Sequence, residues 1–416
     1  MLDLKLNLKT LYLLFAWRYF KAKKSASAIN IIAWVTTGVI AFATCCQVLV
    51  LSVFNGFEDL VKSLYSSFYT DLKISPSTGK TFTLSGKQIQ KIAALPYIQA
   101  ISMVAEDRAI LQNGEAQTFL TVKGVDENFN RVSGVPAKTN IGKFDVGSLE
   151  TPGLVVGSGI QNAASISLNP AFATQQVTLT LPKKNENSTD PLESLSEGNA
   201  TATGVFSIQQ DFDNNYAITN LKFLKQQMGY APDEFTAAEV KLKGGSNIEQ
   251  SRLALQNQIG TGYKVQTRYQ QNSNLYNTMQ LEKWAIFAVL TLILLIAAFN
   301  MVSALTMLVL EKQKDISVLQ SMGTTRTAIR KIFMAEGLLL GFIGAGSGIV
   351  LAVIICLIQL KFKLIKLQGG SFLIDYFPVK LIASDFLLVA GTSIAIALIA
   401  SWFPAWKASK QEIALK

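Results

Sequence analysis

The sequence contains no histidine. Imidazole acid–base chemistry and histidine metal sites are therefore excluded. Charge is also scarce: 16% of the 416 residues are Asp, Glu, Lys or Arg, against roughly 25% in an average soluble domain. Cysteine is limited to Cys45, Cys46 and Cys356, all inside long apolar runs. The polar part of the chain has none, so no disulfide framework forms there. Cys45 does not follow a cleavable signal peptide, whose apolar core is about 7–15 residues long; here the apolar run continues well past Cys46.

Two catalytic signatures are missing as well. There is no G-x-x-x-x-G-K-[ST] phosphate loop. The nearest stretch, VPAKT at 135–139, lacks the glycine before its lysine, so the chain has no nucleotide site of that kind. The LSGKQ stretch at 84–88 looks like the signature loop of an ABC ATPase, but that loop works only with a P-loop. Ser85 and Gln88 are explained instead by a helix capping box. Gly157, Ser158 and Gly159 do not make a G-x-S-x-G elbow. Asp211 and Asp213 read as turn residues rather than a catalytic pair.

What is present is lipid-compatible sequence. Half the residues are hydrophobic. Uncharged apolar runs at 29–54, 284–310, 337–360 and 386–403, the last in a transmembrane helix expected at 385–403 that opens on Asp385, are each near or beyond the ~20 residues that a bilayer requires. Residues 55–280 differ: short β-rich runs alternate with polar turns. Strands are expected at 177–181 and 239–242, helices at 85–95, 220–228 and 248–259, and a loop at 183–200. The expected fold class is integral membrane α-helical, with four transmembrane helices and a large α+β periplasmic domain between helices one and two.

The net charge of +10 fits lysines and arginines flanking membrane spans better than a nucleic-acid surface. Residues 1–28 form a basic, amphipathic cytoplasmic segment suited to an anionic lipid surface. The segment at 311–336 carries Lys312, Lys314, Arg326, Arg330 and Lys331, which places it and the tail at 404–416 in the cytoplasm. The short outer loop at 361–384 opposes this bias with Lys361, Lys363, Lys366 and Lys380.

The stretch EKQKDISVLQSMGTTR, 311–326, predicts a short amphipathic helix and a sharp turn. Glu311 and Asp315 suit a helix N-terminus. Ile316, Leu319 and Met322 recur on one face, and Gly323 suits the left-handed stop. Asn300, deep in the second span, needs a packing partner, and Gly337, Gly341, Gly344 and Gly348 predict close helix packing.

Four stretches carry a family resemblance: WRYFKAKK at 17–24; LSVFNGF at 51–57; LEK at 281–283, followed by AAFNMVS at 297–303 and EKQKDISVLQSMG at 311–323; and FPAWKAS at 403–409. In order and spacing the chain resembles the LolC/LolE permeases of lipoprotein-releasing ABC transporters, within the FtsX/MacB-type superfamily. The resemblance implies a multi-pass bacterial inner-membrane permease that is not itself an enzyme. It implies a separate cytoplasmic ABC ATPase that binds ATP and Mg, a second permease subunit in a homo- or heterodimer, a lipoprotein substrate and a periplasmic lipoprotein carrier. ATPase coupling would map to Glu311, Lys312, Asp315, Ile316, Leu319, Met322 and Gly323. Substrate lipid contact would map to Val50, Leu51, Val53, Phe54 and Phe57. Two alternatives stand beside it. A MacB-like efflux permease would carry an ATPase domain, which this chain lacks. An FtsX-like signalling protein that activates a cell-wall hydrolase would have a smaller outer domain.

Overall fold

The computed structural model describes residues 28–168, 175–184, 194–367 and 376–410. Residues 1–27 of the expected cytoplasmic segment, part of the outer loop at 361–384 and the end of the tail at 404–416 lie outside the described residues. The chain divides into two compact units, one built from residues up to Leu60 and from Asn277 onward, the other from Val61–Tyr276.

The first unit is helical. It holds α1 (Ala28–Phe68) as far as Leu60, α2 (Ser273–Glu311) from Asn277, and the whole of α3 (Gln313–Ser321), α4 (Arg326–Phe362) and α5 (Ala383–Ser409). Among the described residues, α1, α2, α4 and α5 are the four helices long and apolar enough to cross a membrane. They pack through small residues. Met301, Leu305, Leu340, Ala397 and Ala400 are buried together with Ile40 and Ala43, and the hydroxyls of Thr44 and Ser393 meet at 3.4 Å.

The helices outrun the apolar segments that announced them. The first run ends at Phe54, but α1 continues to Phe68. At 1.5 Å per residue its 41 residues extend roughly 60 Å, about twice a hydrocarbon core. Val61, Leu64, Tyr65 and Phe68 explain the extension: they keep helical spacing and join the core of the second unit. Likewise α2 begins at Ser273, ahead of the apolar run at 284, and α5 passes through buried Pro404 to Ser409 instead of stopping at 403. A proline removes one helix hydrogen bond, yet proline is tolerated within membrane helices whose neighbours resatisfy the backbone.

The second unit is a mixed ten-stranded sheet with helices on it. Its strands are β1 (Leu72–Pro76), β2 (Phe82–Thr83), β3 (Ile98–Asn113), β4 (Ala116–Val125), β5 (Thr139–Gly142), β6 (Gly153–Gly157), β7 (Gln176–Pro182), β8 (Leu195–Phe206), β9 (Tyr216–Asn220), β10 (Glu234–Phe235), β11 (Ala237–Leu242) and β12 (Tyr263–Thr267). The main path runs β12-β1-β11-β3-β4-β9-β6-β8-β5, with β7 against β3 and β8, and β2 pairs with β10 apart from it. The pairs β4/β9 and β6/β8 are parallel.

The helix after β2 opens with the expected capping box of Ser85 and Gln88, and Ile92 is buried beneath it. The expected helices near 220–228 and 248–259 occur as Leu221–Met228 and Ile248–Ile259. The expected loop at 183–200 is corrected in its last part. Residues from Leu195 belong to β8, where Glu197 faces Thr180 and Asn199 faces Thr178. Cross-strand pairing there overrides a polar, turn-like composition.

The sheet also buries charge. Lys123 and Glu239 are 2% and 3% exposed and meet at 2.5 Å. Lys73 and Glu106 meet at 2.6 Å. The Lys123 ammonium lies 4.9 Å from the centre of the Phe68 ring. Asp213 accepts the Ile208 amide at 2.9 Å and the Ser207 and Ser158 hydroxyls. This explains the carboxylate as a local cap rather than half of a catalytic pair.

Candidate functional site

The turn between α2 and α4 is built as a helix held at both ends. Lys312 leaves helical geometry and separates α2 from α3. Glu311 is therefore the last residue of α2, not the first of a new helix, and only Asp315 occupies the first turn of α3. This corrects the expected position of Glu311: the break falls one residue later than a dipole argument suggests. At the other end, the Gly323 amide donates to the Gln320 carbonyl at 2.9 Å and the Thr324 amide to Leu319 at 3.0 Å. Gly323 is left-handed, with φ of 89°. These bonds form a Schellman stop. The Thr325 hydroxyl then caps α4 by accepting the Ala328 amide.

The apolar stripe of α3 splits between two environments. Ile316 is buried with Val309, Ile329, Phe333, Ala405 and Ala408, which fastens the helix to the ends of α2, α4 and α5. Leu319 is half-buried and Met322 is 78% exposed. Val318, which the periodicity argument passed over, is 57% exposed beside it. A two-residue apolar patch thus projects from a helix whose opposite side is anchored.

At the other end of the helices, α1 is tied down by polar contacts. The Asn55 amide donates to Asp385 at 2.6 Å, and the Lys283 ammonium donates to Asn55 at 2.9 Å and to Asp385 at 3.2 Å. The segment entering α5 crosses α1: the Lys380 amide donates to the Ser52 carbonyl at 2.9 Å, the Lys380 ammonium pairs with Asp59, and the Phe57 and Phe377 rings meet edge-on at 5.7 Å. A Cβ at Gly56 would lie 2.3 Å from the Pro378 carbonyl oxygen, so only glycine fits beneath this crossing. The charge that opposed the orientation argument is in part neutralised here, since Lys380 has a carboxylate partner.

This arrangement sorts the expected lipid contacts. Leu51 is 1% exposed and packs on Cys45, Val48, Ala352 and Val389; it is a packing residue. Val50, Val53, Phe54 and Phe57 share the opposite, i/i+3/i+4/i+7 face. Val50 is exposed and the other three are half-buried. The sequence argument grouped the five by proximity and did not separate the two faces.

The glycines of α4 face two neighbours. A Cβ at Gly337 would lie 2.4 Å from Ser401 Cβ, and one at Gly341 2.4 Å from Ala397 Cβ, so these two pack on α5. Gly344 and Gly348 pack on α1, at Ile40 and Ala41. Asn300 does not join this packing. It lies on the exposed side of α2 with Phe299 and Ile296, because the buried side is set by Leu294, Ala297, Met301 and Leu305. Among the described residues no cluster of acidic or cysteine side chains is arranged to hold a metal.

Comparison with known proteins gives this geometry a family. Residues 33–258 match the MacB-like periplasmic core domain, and residues 287–413 match the FtsX-like permease C-terminal family. The lipoprotein-releasing system transmembrane protein LolE of Haemophilus influenzae is 25% identical over 412 residues, covering 95% of this chain and 96% of that one. Its LolC counterpart in Neisseria meningitidis serogroup B is 26% identical over 423 residues, covering 95% and 97%. The periplasmic region of MacB from Actinobacillus actinomycetemcomitans is 14% identical with a TM-score of 0.36, covering 53% of this chain and 98% of that one. The chain belongs to the family that carries the MacB-like periplasmic core domain, set here between spans one and two and followed by an FtsX-like permease C-terminal region.

Proposed function

We propose that this chain is the permease subunit of an ABC transporter that extracts lipoproteins from the bacterial inner membrane for delivery toward the outer membrane. The observation that carries the reading is end-to-end similarity: relatives named for lipoprotein release align over 95% of the chain, across both units. ATP and Mg bind a separate cytoplasmic ATPase, since this chain has no P-loop. That ATPase docks on α3. The exposed Val318 and Met322 offer an apolar knob, and Ile316 transmits a push to α2, α4 and α5. A periplasmic carrier receives the cargo.

A second permease subunit, identical or homologous, covers the exposed side of α2. An amide in lipid without a partner is unfavourable, and polar side-chain hydrogen bonds between spans contribute about 0.6–2 kcal/mol. The exposed position of Asn300 therefore supports a helix from another subunit at that face.

The test is reconstitution. The complete complex in proteoliposomes, given ATP, is expected to transfer a lipoprotein to a soluble carrier. ATP turnover without transfer, accompanied by activation of a cell-wall hydrolase, overturns the lipoprotein reading in favour of transmembrane signalling.

A further inference from the structure

Lys361, Lys363 and Lys366 stand on the outer side of the helical unit without a counter-charge. Spans alternate in direction, so the turn after α4 opens on the side where spans one and two are also joined. That side is normally poor in lysine. Lys380 has Asp59 as its partner. The other three lysines are exposed, and among the described residues none of them has a carboxylate within ion-pair distance.

The turn that carries them is built, not slack. Helix α4 ends at Phe362, and Lys363 takes the left-handed stop with φ of 49°, where glycine is usual. Gln359 is 6% exposed and holds the turn from inside. It donates to the Ile365 and Phe377 carbonyls at 3.0 and 3.3 Å and accepts the Ile365 amide at 3.0 Å. Lys366 forms an antiparallel bridge with Tyr376, and the Lys363 ammonium lies 4.0 Å from the centre of the Tyr376 ring. Lys363 and Lys366 are thus fixed around one tyrosine. Lys361, in the last turn of α4, has its ammonium 5.4 Å from the centre of the Phe362 ring. An ammonium over a ring keeps its charge and still has N–H groups to donate.

Between these lysines Phe362, Leu364 and Ile365 are 61%, 67% and 57% exposed. At the end of a membrane helix, apolar side chains lie against acyl chains, while lysines extend into the headgroup layer. We propose that this turn binds an anionic phospholipid of the outer leaflet. Lys361, Lys363 and Lys366 take the headgroup phosphate, and Phe362, Leu364 and Ile365 lie against the acyl chains. A zwitterionic lipid also carries a phosphate, but its own cation cancels the net attraction, so the site selects by net charge. Each lysine near an anionic surface favours binding by about five-fold. The inference rests on the outer placement of the turn and is independent of the cargo.

The test uses the full chain in vesicles of equal parts phosphatidylglycerol and phosphatidylcholine. A photo-crosslinker is placed at Leu364. A control is placed at Leu387, which is 76% exposed near the outer end of α5 and has no lysine beside it in the sequence. Captured lipid is identified by mass spectrometry. Phosphatidylglycerol should exceed phosphatidylcholine about ten-fold or more at Leu364, the effect of two or three such lysines, and the two should be captured nearly equally at Leu387. The excess should shrink between about 0.1 and 1 M salt, as the screening length falls from about 10 to 3 Å. Lys361→Gln, Lys363→Gln and Lys366→Gln together should bring the ratio at Leu364 to that at Leu387. The same three positions changed to Arg should keep the excess, because the charge is unchanged. Lys366→Gln alone should lower it about five-fold, which decides the matter if the triple Gln variant does not assemble. An excess that survives the loss of all three lysines overturns the proposal, as do equal ratios at Leu364 and Leu387 in the natural chain. An excess lost with Arg as fully as with Gln would assign the lysines to holding the turn and overturn it too. Capture of no lipid at Leu364 would place the turn away from the bilayer surface, with the same consequence.

Discussion

Asn55 donates its side-chain amide to Asp385 at 2.6 Å, so the first and last spans share a part-buried hydrogen bond where their ends meet. Lys283 completes the node from α2. Replacing Asp385 with Ala leaves the Asn55 amide without its acceptor and the Lys283 ammonium without its counter-charge, with only the Asn55 side-chain oxygen still accepting from Lys283. Leaving a buried polar group unsatisfied costs about 1–3 kcal/mol, more for a charged one. Asp385→Ala is expected to lower the thermal midpoint of the detergent-purified chain by several degrees. Asp385→Asn, which keeps an acceptor oxygen, should recover part of the loss. Equal midpoints for all three chains would remove the node from the account of helix assembly.

A second prediction separates glycines that pack from glycines that do not. A Cβ at Gly348 would lie 2.3 Å from the Ala41 carbonyl oxygen, which is backbone and cannot rotate away. A Cβ at Gly346 meets nothing within 4 Å. Gly348→Ala should therefore cost about 1–3 kcal/mol through forced separation of α1 and α4, whereas Gly346→Ala should be neutral or slightly stabilising, because alanine is the better helix former. Thermal unfolding of the two variants measures the difference, and equal effects would contradict the packing described.

A third prediction concerns pH and the second unit. Glu106 is pushed up by burial, but Lys73 and Lys123 outweigh this and hold its carboxyl below the usual glutamate value of 4.5. A carboxylate with a depressed folded-state pKa stabilises above its unfolded value, and that contribution is lost as pH falls through the folded value. The advantage of the natural chain over Glu106→Gln should therefore be full near neutrality and shrink progressively below about pH 4.5. Limited proteolysis of residues 61–276 in the full chain across this range checks it. An advantage that grows on acidification would refute the assignment. Asp126 and Asp213, both raised by burial, act with the opposite sign, so the comparison must be made between variants rather than on the natural chain alone.

The architecture was legible because lipid imposes composition: spans announce themselves by uncharged length, and a bilayer leaves the backbone few alternatives to a helix. Where the helices end was not legible, because Glu58, Asp59 and Lys62 stop the apolar run while helical spacing of Val61, Leu64, Tyr65 and Phe68 goes on beneath the charges. Local motifs with a backbone mechanism carried over well. Gly323 as a left-handed stop and the Ser85 capping box needed no tertiary information. Faces did not carry over. Asn300 was expected to be buried from its apolar neighbours, but which side of α2 packs depends on α1, α4 and α5. The Asn55–Lys283–Asp385 node could not be found by spacing, since it joins three distant stretches; only the isolated charges Lys283 and Asp385 at the edges of apolar runs hinted at it.

A fourth prediction tests the docking helix. Val318 and Met322 project from α3, whereas Ile316 is buried beneath it. Met322→Asp should leave the helical unit folded and abolish copurification of the ATPase, because an interface must then bury an unpaired carboxylate. Leu319→Asp should weaken both docking and folding, since that side chain is half-buried. Ile316→Ala should act on stability, at about 2–5 kcal/mol for a truncated core side chain. Undiminished copurification with Met322→Asp would move the docking surface elsewhere.

The last prediction concerns the cargo. Lipid anchors that leave the outer leaflet must meet an apolar surface near the end of a span, and α1 offers one on the side of Val50, Val53, Phe54 and Phe57. Its opposite side, with Leu51, Ser52, Asn55 and Gly56, is buried against α4, α5 and the segment that crosses from Phe377 to Lys380. Adjacent residues therefore face different surroundings at the same depth, which provides an internal control. A photo-crosslinker at Val53 or Phe54 should trap lipoproteins in cells that are exporting them. One at Leu51 should trap only neighbouring parts of this chain. Phe57, whose ring is held by Phe377 at 5.7 Å, should trap less than Phe54, because cargo reaches it only if that contact opens. Ile396, at mid-depth on α5, lines a shallow apolar groove of about 240 Å³ with Leu295, Phe299 and Val302; it should capture phospholipid and no lipoprotein. Lipoprotein trapped equally at Leu51 and Phe54 would mean that the facing of α1 differs from the one described. Lipoprotein trapped at neither Val53 nor Phe54, under active export, would mean that α1 does not contact the cargo, and the case for lipoprotein release would then rest on sequence similarity alone.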